Sequence, residues 1–128
     1  MKKEAISTLE APQAIGPYSQ GVKALGFLFV SGQIPLDPKT GKVVGTEIEA
    51  QTEQVMKNLK AILDSQNVGF EHVVKTTVFI TNMGEFPRFN EVYAKYMKLP
   101  YPARATVEVG RLPKDVLVEI EAVVALPQ

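Results

Sequence analysis

The sequence predicts an α+β sandwich in which two helices cover one face of a mainly antiparallel sheet. Two stretches carry apolar residues at spacings of three and four, which is typical of amphipathic helices. The other apolar runs are short, rich in β-branched residues and bounded by turn-forming residues, as strands are. The 128 residues contain no internal repeat and no linker between these elements, so we expect a single domain over residues 1–128.

The first third of the chain is expected to form strands. Lys3–Thr8 is predicted to be a short first strand. Gly21–Leu25 and Phe27–Ser31 are two apolar runs separated by Gly26, which indicates a hairpin. Residues 34–42 are dense in turn-forming residues and are predicted to form an exposed loop.

The longer helix is predicted to run from about Glu47 to Gln66. Thr46 and Glu49 have the spacing of a capping box, with Thr46 as the N-cap and Glu49 as the third helical residue. The residues that share one face of this helix are mostly apolar: Ile48, Thr52, Val55, Leu59, Ile62 and Gln66.

The second half of the chain is predicted to contain a strand, a helix and two further strands. Val73–Thr81 is rich in β-branched residues and short for a helix. Pro87–Met97 is predicted to be the second helix, because proline is well tolerated at a first helical position. Ala103–Val109 and Val116–Ala125 are predicted to be the last strands, joined across residues 110–114.

The last two strands are expected to pair with each other in an antiparallel hairpin. Each alternates apolar and polar residues, and matching their apolar faces places Arg104 opposite Glu119 or Glu121. One interpretation is a cross-strand ion pair on a solvated face, worth about 0.2–1 kcal/mol. The other is a functional cluster of charges, and the spacing alone leaves both interpretations open.

The composition excludes several classes of function. Lys and Arg number 14, as do Asp and Glu, so the formal net charge is zero and no electrostatic footprint for nucleic acid is present. The absence of cysteine excludes a thiolate nucleophile and cysteine-ligated metal sites, and the single histidine, His72, makes a histidine-rich metal site implausible. Neither a membrane-spanning run nor a signal peptide is expected, so we predict a cytoplasmic protein with no membrane partner.

Three segments carry a specific resemblance: Ala14–Gly21 (AIGPYSQG), Ser31–Pro35 (SGQIP) and Pro102–Glu121 (PARATVEVGRLPKDVLVEIE). In this order they closely resemble the signatures of the RidA/YjgF family of reactive-intermediate (enamine/imine) deaminases, and the resemblance covers essentially the whole chain. It implies a chorismate-mutase-like α+β fold and a homotrimer whose ligand clefts lie between subunits. It also implies hydrolysis of 2-iminopropanoate and 2-iminobutanoate to 2-oxo acids and ammonia, without a metal or an organic cofactor.

The resemblance also implies roles for individual residues. The carboxylate-binding arginine of the family corresponds to Arg104, and its catalytic glutamate corresponds to Glu119. Thr106 stands where many members carry cysteine, a position that the family uses chiefly through its backbone N–H. Further residues are expected to line the cleft and bind substrate: Tyr18, Ser31, Gly32 and Asn90.

Two alternatives stay open at this stage. Tyr18 and Ser31 are equally well explained as a turn aromatic and a strand-end hydroxyl. The chain as a whole could be a non-catalytic trimer that binds small carboxylates and acts on partner proteins, since family members have been assigned translation-related, RNA-related and regulatory roles. The presence of both Arg104 and Glu119 favours the enzyme, because a simple carboxylate binder does not need the glutamate.

Overall fold

The computed structural model describes residues 1–128 and contains six strands and two α-helices. The strands are β1 (Glu4–Ile6), β2 (Gly21–Ala24), β3 (Phe27–Gln33), β4 (Val73–Ile80), β5 (Ala103–Glu108) and β6 (Val118–Ala125). The helices are α1 (Ile48–Ser65) and α2 (Phe86–Tyr96), and neither is long and apolar enough to cross a membrane. All eight elements begin and end within two residues of their predicted bounds.

The six strands form one sheet in the order β1-β2-β3-β6-β4-β5. Neighbouring strands are antiparallel except for β4 and β5, which are parallel. A parallel pair needs a crossover connection, and α2 provides it here. Both helices pack against the same face of the sheet, so the predicted α+β sandwich is confirmed.

The hydrophobic core lies between the helices and the sheet. The apolar face predicted for α1 is buried there, and Ile48, Val55 and Ile62 are fully inaccessible to solvent. Alternate residues of β6, including Val118 and Ile120, are equally buried on the sheet side. Burial of such side chains contributes about 1.5–3 kcal/mol each, so this core stabilises the packing of the helices on the sheet that carries the polar residues.

The start of α1 differs from the prediction. The helix begins at Ile48 with Glu47 as its N-cap, and no side chain caps it, so the capping box of Thr46 and Glu49 is wrong. The carboxylates of Glu47 and Glu49 instead accept hydrogen bonds from Arg88 of α2, at 3.2 and 2.7 Å. These glutamates therefore join the two helices rather than cap the first.

The pairing predicted for the last two strands is also wrong. β4 lies between β5 and β6, and residues 109–117 carry the chain past the end of β4 instead of forming a tight turn. In the observed register Thr76 of β4 lies level with Arg104 on one side and Ala122 on the other. Arg104 therefore faces the helices, whereas Glu119 and Glu121 face away from them.

The sheet face away from the helices is uncovered in the single chain. Phe27 and Phe29 of β3 are 39% and 46% exposed, and Val107 of β5 is 41% exposed. The strand register places these three side chains on the same face as Glu119. Exposed apolar side chains on one sheet face are typical of a surface that contacts another protein.

The side chain of Gln20 holds together the loop that precedes β2. It is 2% exposed, accepts a hydrogen bond from the Thr8 N–H at 2.7 Å, and donates to the carbonyl groups of Thr8 and Pro12 at 3.0 and 2.8 Å. We expect Gln20→Met to lower the free energy of unfolding by about 1–3 kcal/mol, because it leaves the Thr8 N–H and the Pro12 carbonyl unpaired. Urea unfolding monitored by circular dichroism measures the change.

Gln13→Met is the matched control for this prediction. Gln13 donates to the same Thr8 carbonyl at 2.9 Å, but from an exposed position. Its replacement should change the free energy of unfolding by no more than about 0.5 kcal/mol. Equal losses for the two variants would contradict the role given to Gln20.

Candidate active site

Arg104 lies on β5, at the edge of the sheet, and its guanidinium group packs against α2. Its Nη1 donates a hydrogen bond to Oδ1 of Asn90 at 2.8 Å. Its Cζ is 5.1 Å from the centre of the Phe86 ring and 5.0 Å from the centre of the Tyr93 ring. Residues 86, 90 and 93 share one face of α2 because they are spaced by four and three. We call Arg104, Asn90, Phe86 and Tyr93 the arginine cluster.

The charge of Arg104 has no carboxylate partner in the chain. The other two arginines are ion-paired: Arg88 with Glu49 at 2.7 Å and Arg111 with Asp115 at 2.5 Å. The contacts of Arg104 are an amide oxygen and two aromatic rings, which leave its positive charge uncompensated. Its remaining N–H groups can therefore bind a ligand carboxylate through two parallel charge-assisted hydrogen bonds.

A cavity of about 420 Å³ opens beside Arg104. It lies between α2 and the segment that leads into β5, and its walls are mixed, with both apolar and polar side chains: Asn90, Tyr93, Ala94, Met97, Tyr101, Pro102 and Arg104. Its volume lies in the range of small-molecule pockets. A carboxylate bound to Arg104 would have room here for the rest of a small acid.

Thr106 follows Arg104 on the same face of β5. The N–H of Val109 donates to the Ile80 carbonyl of β4 at 2.9 Å. Because successive N–H groups of a strand point in opposite directions, the N–H of Thr106 points to the free edge of the sheet. The Thr106 hydroxyl is buried and has no hydrogen-bond partner. A backbone N–H that points to the free edge is compatible with the binding of a ligand carboxylate by Thr106, which stays a prediction.

Glu119 lies on the opposite face of the sheet, half-buried against the backbone of Gly32. The register of β3 against β6 shifts between Val30 and Gln33, and Gly32 lies in this irregular stretch. A Cβ atom on residue 32 would overlap Oε2 of Glu119, so glycine at this residue allows the carboxylate its observed position. Burial raises the pKa of Glu119 above its ordinary value, and the nearby charge of Glu121 raises it further.

Ser31 directly precedes Gly32 on β3 and is linked to the segment that contains Tyr18. The Ser31 hydroxyl donates to the carbonyl of Ser19 at 2.5 Å, which ties β3 to the segment that carries Tyr18. The Tyr18 side chain is 54% exposed. We call Glu119, Gly32, Ser31 and Tyr18 the glutamate cluster.

The structure brings the predicted site residues together as two groups, not one. Arg104 and Thr106 face the helices, where Arg104 meets Asn90 of α2, whereas Glu119 and Gly32 meet on the other side of the sheet. The expectation that Arg104 and Glu119 gather on one face is therefore wrong within a single chain. The cause is the insertion of β4 between β5 and β6, which reverses the face on which Arg104 lies relative to the predicted hairpin.

Comparison with known proteins identifies the family. A family model described as Endoribonuclease L-PSP matches residues 8–126. A RutC family protein from Pyrococcus horikoshii is 54% identical over 94% of this chain and 96% of its own length. The chain belongs to the RidA/YjgF family.

Other RidA/YjgF proteins bear on the chemistry. The chloroplastic Reactive Intermediate Deaminase A of Arabidopsis thaliana is 46% identical over 98% of this chain and 67% of its own length. The crystal structure of E. coli TdcF with bound serine has a TM-score of 0.90 and 40% identity, and the match covers 97% of this chain and 99% of that chain. The family thus includes a protein named as a reactive-intermediate deaminase and one that binds an amino acid.

Phe86 and Tyr93 are members of the arginine cluster that the sequence analysis did not single out. Tyr93 fits an apolar stripe of the second helix, and Phe86 comes just before the predicted start of that helix at Pro87, so packing alone explained both. The signal that could have identified them is their position on the same helical face as Asn90, a residue that the RidA/YjgF resemblance already placed in the cleft. An aromatic residue one turn before and one turn after a site residue is a candidate neighbour of the ligand-binding group.

Gly32→Ala is expected to reduce activity without unfolding the protein. The added methyl group would meet the end of the flexible Glu119 side chain, which can move away, so the free energy of unfolding should change by less than about 1 kcal/mol. Glu119 is the predicted catalytic glutamate, so its displacement is expected to lower turnover at least about tenfold. Gly110→Ala is the control, since nothing lies within 4 Å of a Cβ at that residue. The turnover of both variants is measured on the same imine substrate. Parental turnover in Gly32→Ala would contradict the prediction.

Proposed function

We propose that the chain hydrolyses 2-imino acids and their enamine forms to 2-oxo acids and ammonia, with 2-iminopropanoate and 2-iminobutanoate as substrates. The observation that carries the proposal is the uncompensated charge of Arg104 beside a cavity. A 2-imino acid has a carboxylate next to its electrophilic C=N carbon. A guanidinium group that holds the carboxylate by two hydrogen bonds therefore fixes the position of the carbon that reacts.

Glu119 is the proposed general base. Its carboxylate accepts a proton from a water molecule as the water oxygen bonds to the imine carbon. The C=N electron pair moves to the nitrogen, which receives that proton from Glu119. The tetrahedral amino-alcohol then loses ammonia as the C–N bond breaks and the C=O bond forms, and Glu119 transfers the hydroxyl proton to the leaving nitrogen. The raised pKa of Glu119 suits a group that gains and releases a proton in each cycle.

The remaining predicted residues line the site in this proposal. The backbone N–H of Thr106 binds the second carboxylate oxygen beside Arg104, and Asn90 lies at the arginine side of the cleft. Tyr18, Ser31 and Gly32 form the wall that carries Glu119. The chain's own residues supply every group in the reaction, so the proposed step uses no metal and no organic cofactor.

A complete site in this proposal needs two copies of the chain. The arginine and glutamate clusters lie on opposite faces of one sheet, so Arg104 of one copy must meet Glu119 of another. The exposed side chains of Phe27, Phe29 and Val107 lie on the same face as Glu119, where a second copy would bury them. We propose a homotrimer with three such intersubunit clefts.

The assembly has its own test. Light scattering at micromolar concentration should give three times the 14.0 kDa of one chain. Phe29→Asp places a charge on the uncovered sheet face, so it should dissociate the assembly. Deamination should be abolished as well, because the proposed cleft needs two copies. Leu25→Asp is the control, because Leu25 is 78% exposed at the turn between β2 and β3. An active monomer would contradict the intersubunit cleft.

The activity is tested by following an imine directly. A serine dehydratase generates 2-aminoacrylate, the enamine form of 2-iminopropanoate, and pyruvate release is measured with and without this protein. Micromolar protein should speed the release. No rate change would contradict the enzyme proposal, and calorimetric binding of pyruvate without turnover would identify the carboxylate-binding module instead.

A further inference from the structure

We propose that Phe86, Asn90 and Tyr93 form a neutral clamp that fixes the direction of the Arg104 guanidinium group without cancelling its charge. In this role the three side chains are positioning residues that act on the ligand through Arg104. The inference rests on the proposed function for its consequence, carboxylate binding, but the clamp itself is a property of the unliganded protein.

The clamp contacts the guanidinium group on two different sides. Asn90 accepts a hydrogen bond from Nη1 at one edge. The rings of Phe86 and Tyr93 lie about equally far from Cζ, at 5.1 and 5.0 Å, which is within the range of cation–π attraction. Asn90 takes one of the five N–H donors of the guanidinium group, so the clamp leaves donors for a ligand.

The rings are themselves held firmly. The Tyr93 hydroxyl is hydrogen-bonded to Oγ1 of Thr76 at 2.7 Å, and the Tyr93 side chain is 6% exposed. Phe89 is fully buried and packs against both rings, with centroid distances of 5.9 Å to Phe86 and 5.4 Å to Tyr93. A rigid aromatic surface restricts a long side chain that would otherwise sample many rotamers, so less conformational entropy is lost on binding.

The absence of charge in the clamp keeps the guanidinium group of Arg104 available to a ligand. A carboxylate would hold Arg104 more strongly, but it would occupy the guanidinium fork and compete with the ligand carboxylate. The same helix provides the contrast. Arg88 of α2 is surrounded by the carboxylates of Glu47, Glu49 and Glu85, and it joins structural elements. Arg104 is held by side chains that carry no charge, which keeps it open to an anion.

Asn90→Asp tests the neutrality directly. Aspartate has the size of asparagine and can accept the same hydrogen bond from Nη1, so thermal stability should equal or exceed that of the parent. The new carboxylate competes for the guanidinium group, so the affinity for 2-oxobutanoate, measured by calorimetric titration, should fall at least about tenfold. Asn67→Asp, at an exposed position after α1, adds the same charge and should leave the affinity unchanged. Parental affinity in Asn90→Asp would overturn the proposal.

A second measurement tests the clamp without any ligand. The chain has three arginines, so the Nε–Hε signal of Arg104 can be assigned in an NMR spectrum by its loss in Arg104→Lys. Protons above an aromatic ring are shifted upfield, and this shift should shrink in Phe86→Leu and persist in Tyr93→Phe, which keeps the ring. Phe70→Leu is the control: its ring packs against Tyr96 and not against an arginine.

The two measurements separate the possible failures. If the shift depends on Phe86 but the parent binds no 2-oxo acid, the clamp stands and the proposed function fails. If the parent binds the acid but neither the shift nor the affinity changes in Phe86→Leu, the function stands and the clamp is overturned. If both hold, Phe86→Leu should weaken binding about two- to fivefold, the expected effect of one exposed cation–π contact.

Discussion

Arg104→Lys should weaken the binding of pyruvate and 2-oxobutanoate about 10- to 150-fold while the protein stays folded. Lysine keeps the positive charge but replaces the planar fork with a single point of attachment, so the carboxylate is no longer held in one orientation. The loss corresponds to about 1.5–3 kcal/mol, the contribution of a charge-assisted hydrogen bond. Turnover should fall with binding, because the imine carbon is positioned through the same contact.

Calorimetric titration of the variant with each 2-oxo acid, beside the coupled deaminase assay, measures both effects. Arg88→Lys is the matched control on α2. It also loses a guanidinium fork, but Arg88 binds Glu47 and Glu49 at the surface. We expect it to cost at most about 1 kcal/mol of stability and to leave ligand affinity unchanged. Parental binding and turnover in Arg104→Lys would show that another group holds the carboxylate.

The helices and strands could be predicted because their signals are local. The apolar period of α1 and the β-branched composition of β4 are visible within each segment. The strand with which β5 pairs depends on residues that are distant in sequence. The alternation of apolar and polar residues in β5 fits pairing with β4 or with β6 equally well. The connection from β4 through α2 to β5 is the crossover expected for parallel strands, and giving it more weight than the closeness of β5 and β6 in sequence would have corrected the pairing.

The arrangement of the proposed site could not be predicted from residue spacing. The resemblance identified Arg104 and Glu119, but residue spacing placed them on one face because it assumed the hairpin. With β4 between β5 and β6, Arg104 and Glu119 lie on opposite faces of the sheet, so the proposed cleft requires a second copy of the chain. The aromatic rings beside Arg104 were missed for a different reason, since burial against the core already explained an apolar stripe on α2.

Glu119→Gln should lower turnover by about 10²- to 10⁴-fold and leave the binding of 2-oxo acids nearly unchanged. Glutamine keeps the shape of the side chain but cannot accept the proton of the attacking water. Arg104, which holds the carboxylate, lies elsewhere in the proposed cleft and is not altered. The same calorimetric and coupled assays therefore give the opposite pattern to that of Arg104→Lys, in which binding itself is lost.

The pH dependence of the parent protein provides an independent check on Glu119. Burial, and then the charge of Glu121, raises the pKa of Glu119. The base is its ionised form, so kcat/KM should fall as the pH decreases through this raised pKa. Glu121→Gln removes the second cause, so the acid limb should move to lower pH while turnover at neutral pH is retained.

As the pH decreases, the free energy of unfolding should change in the opposite direction to kcat/KM. The folded state binds the Glu119 proton more tightly than the unfolded chain does, so ionisation of Glu119 destabilises the fold. The free energy of unfolding should therefore rise as the pH falls from the raised pKa of Glu119 towards the ordinary pKa of a glutamate. Glu119→Gln removes this dependence and should be at least as stable as the parent at neutral pH. A variant that loses activity because it unfolds would be less stable instead, so urea unfolding at two pH values distinguishes a lost base from a damaged fold.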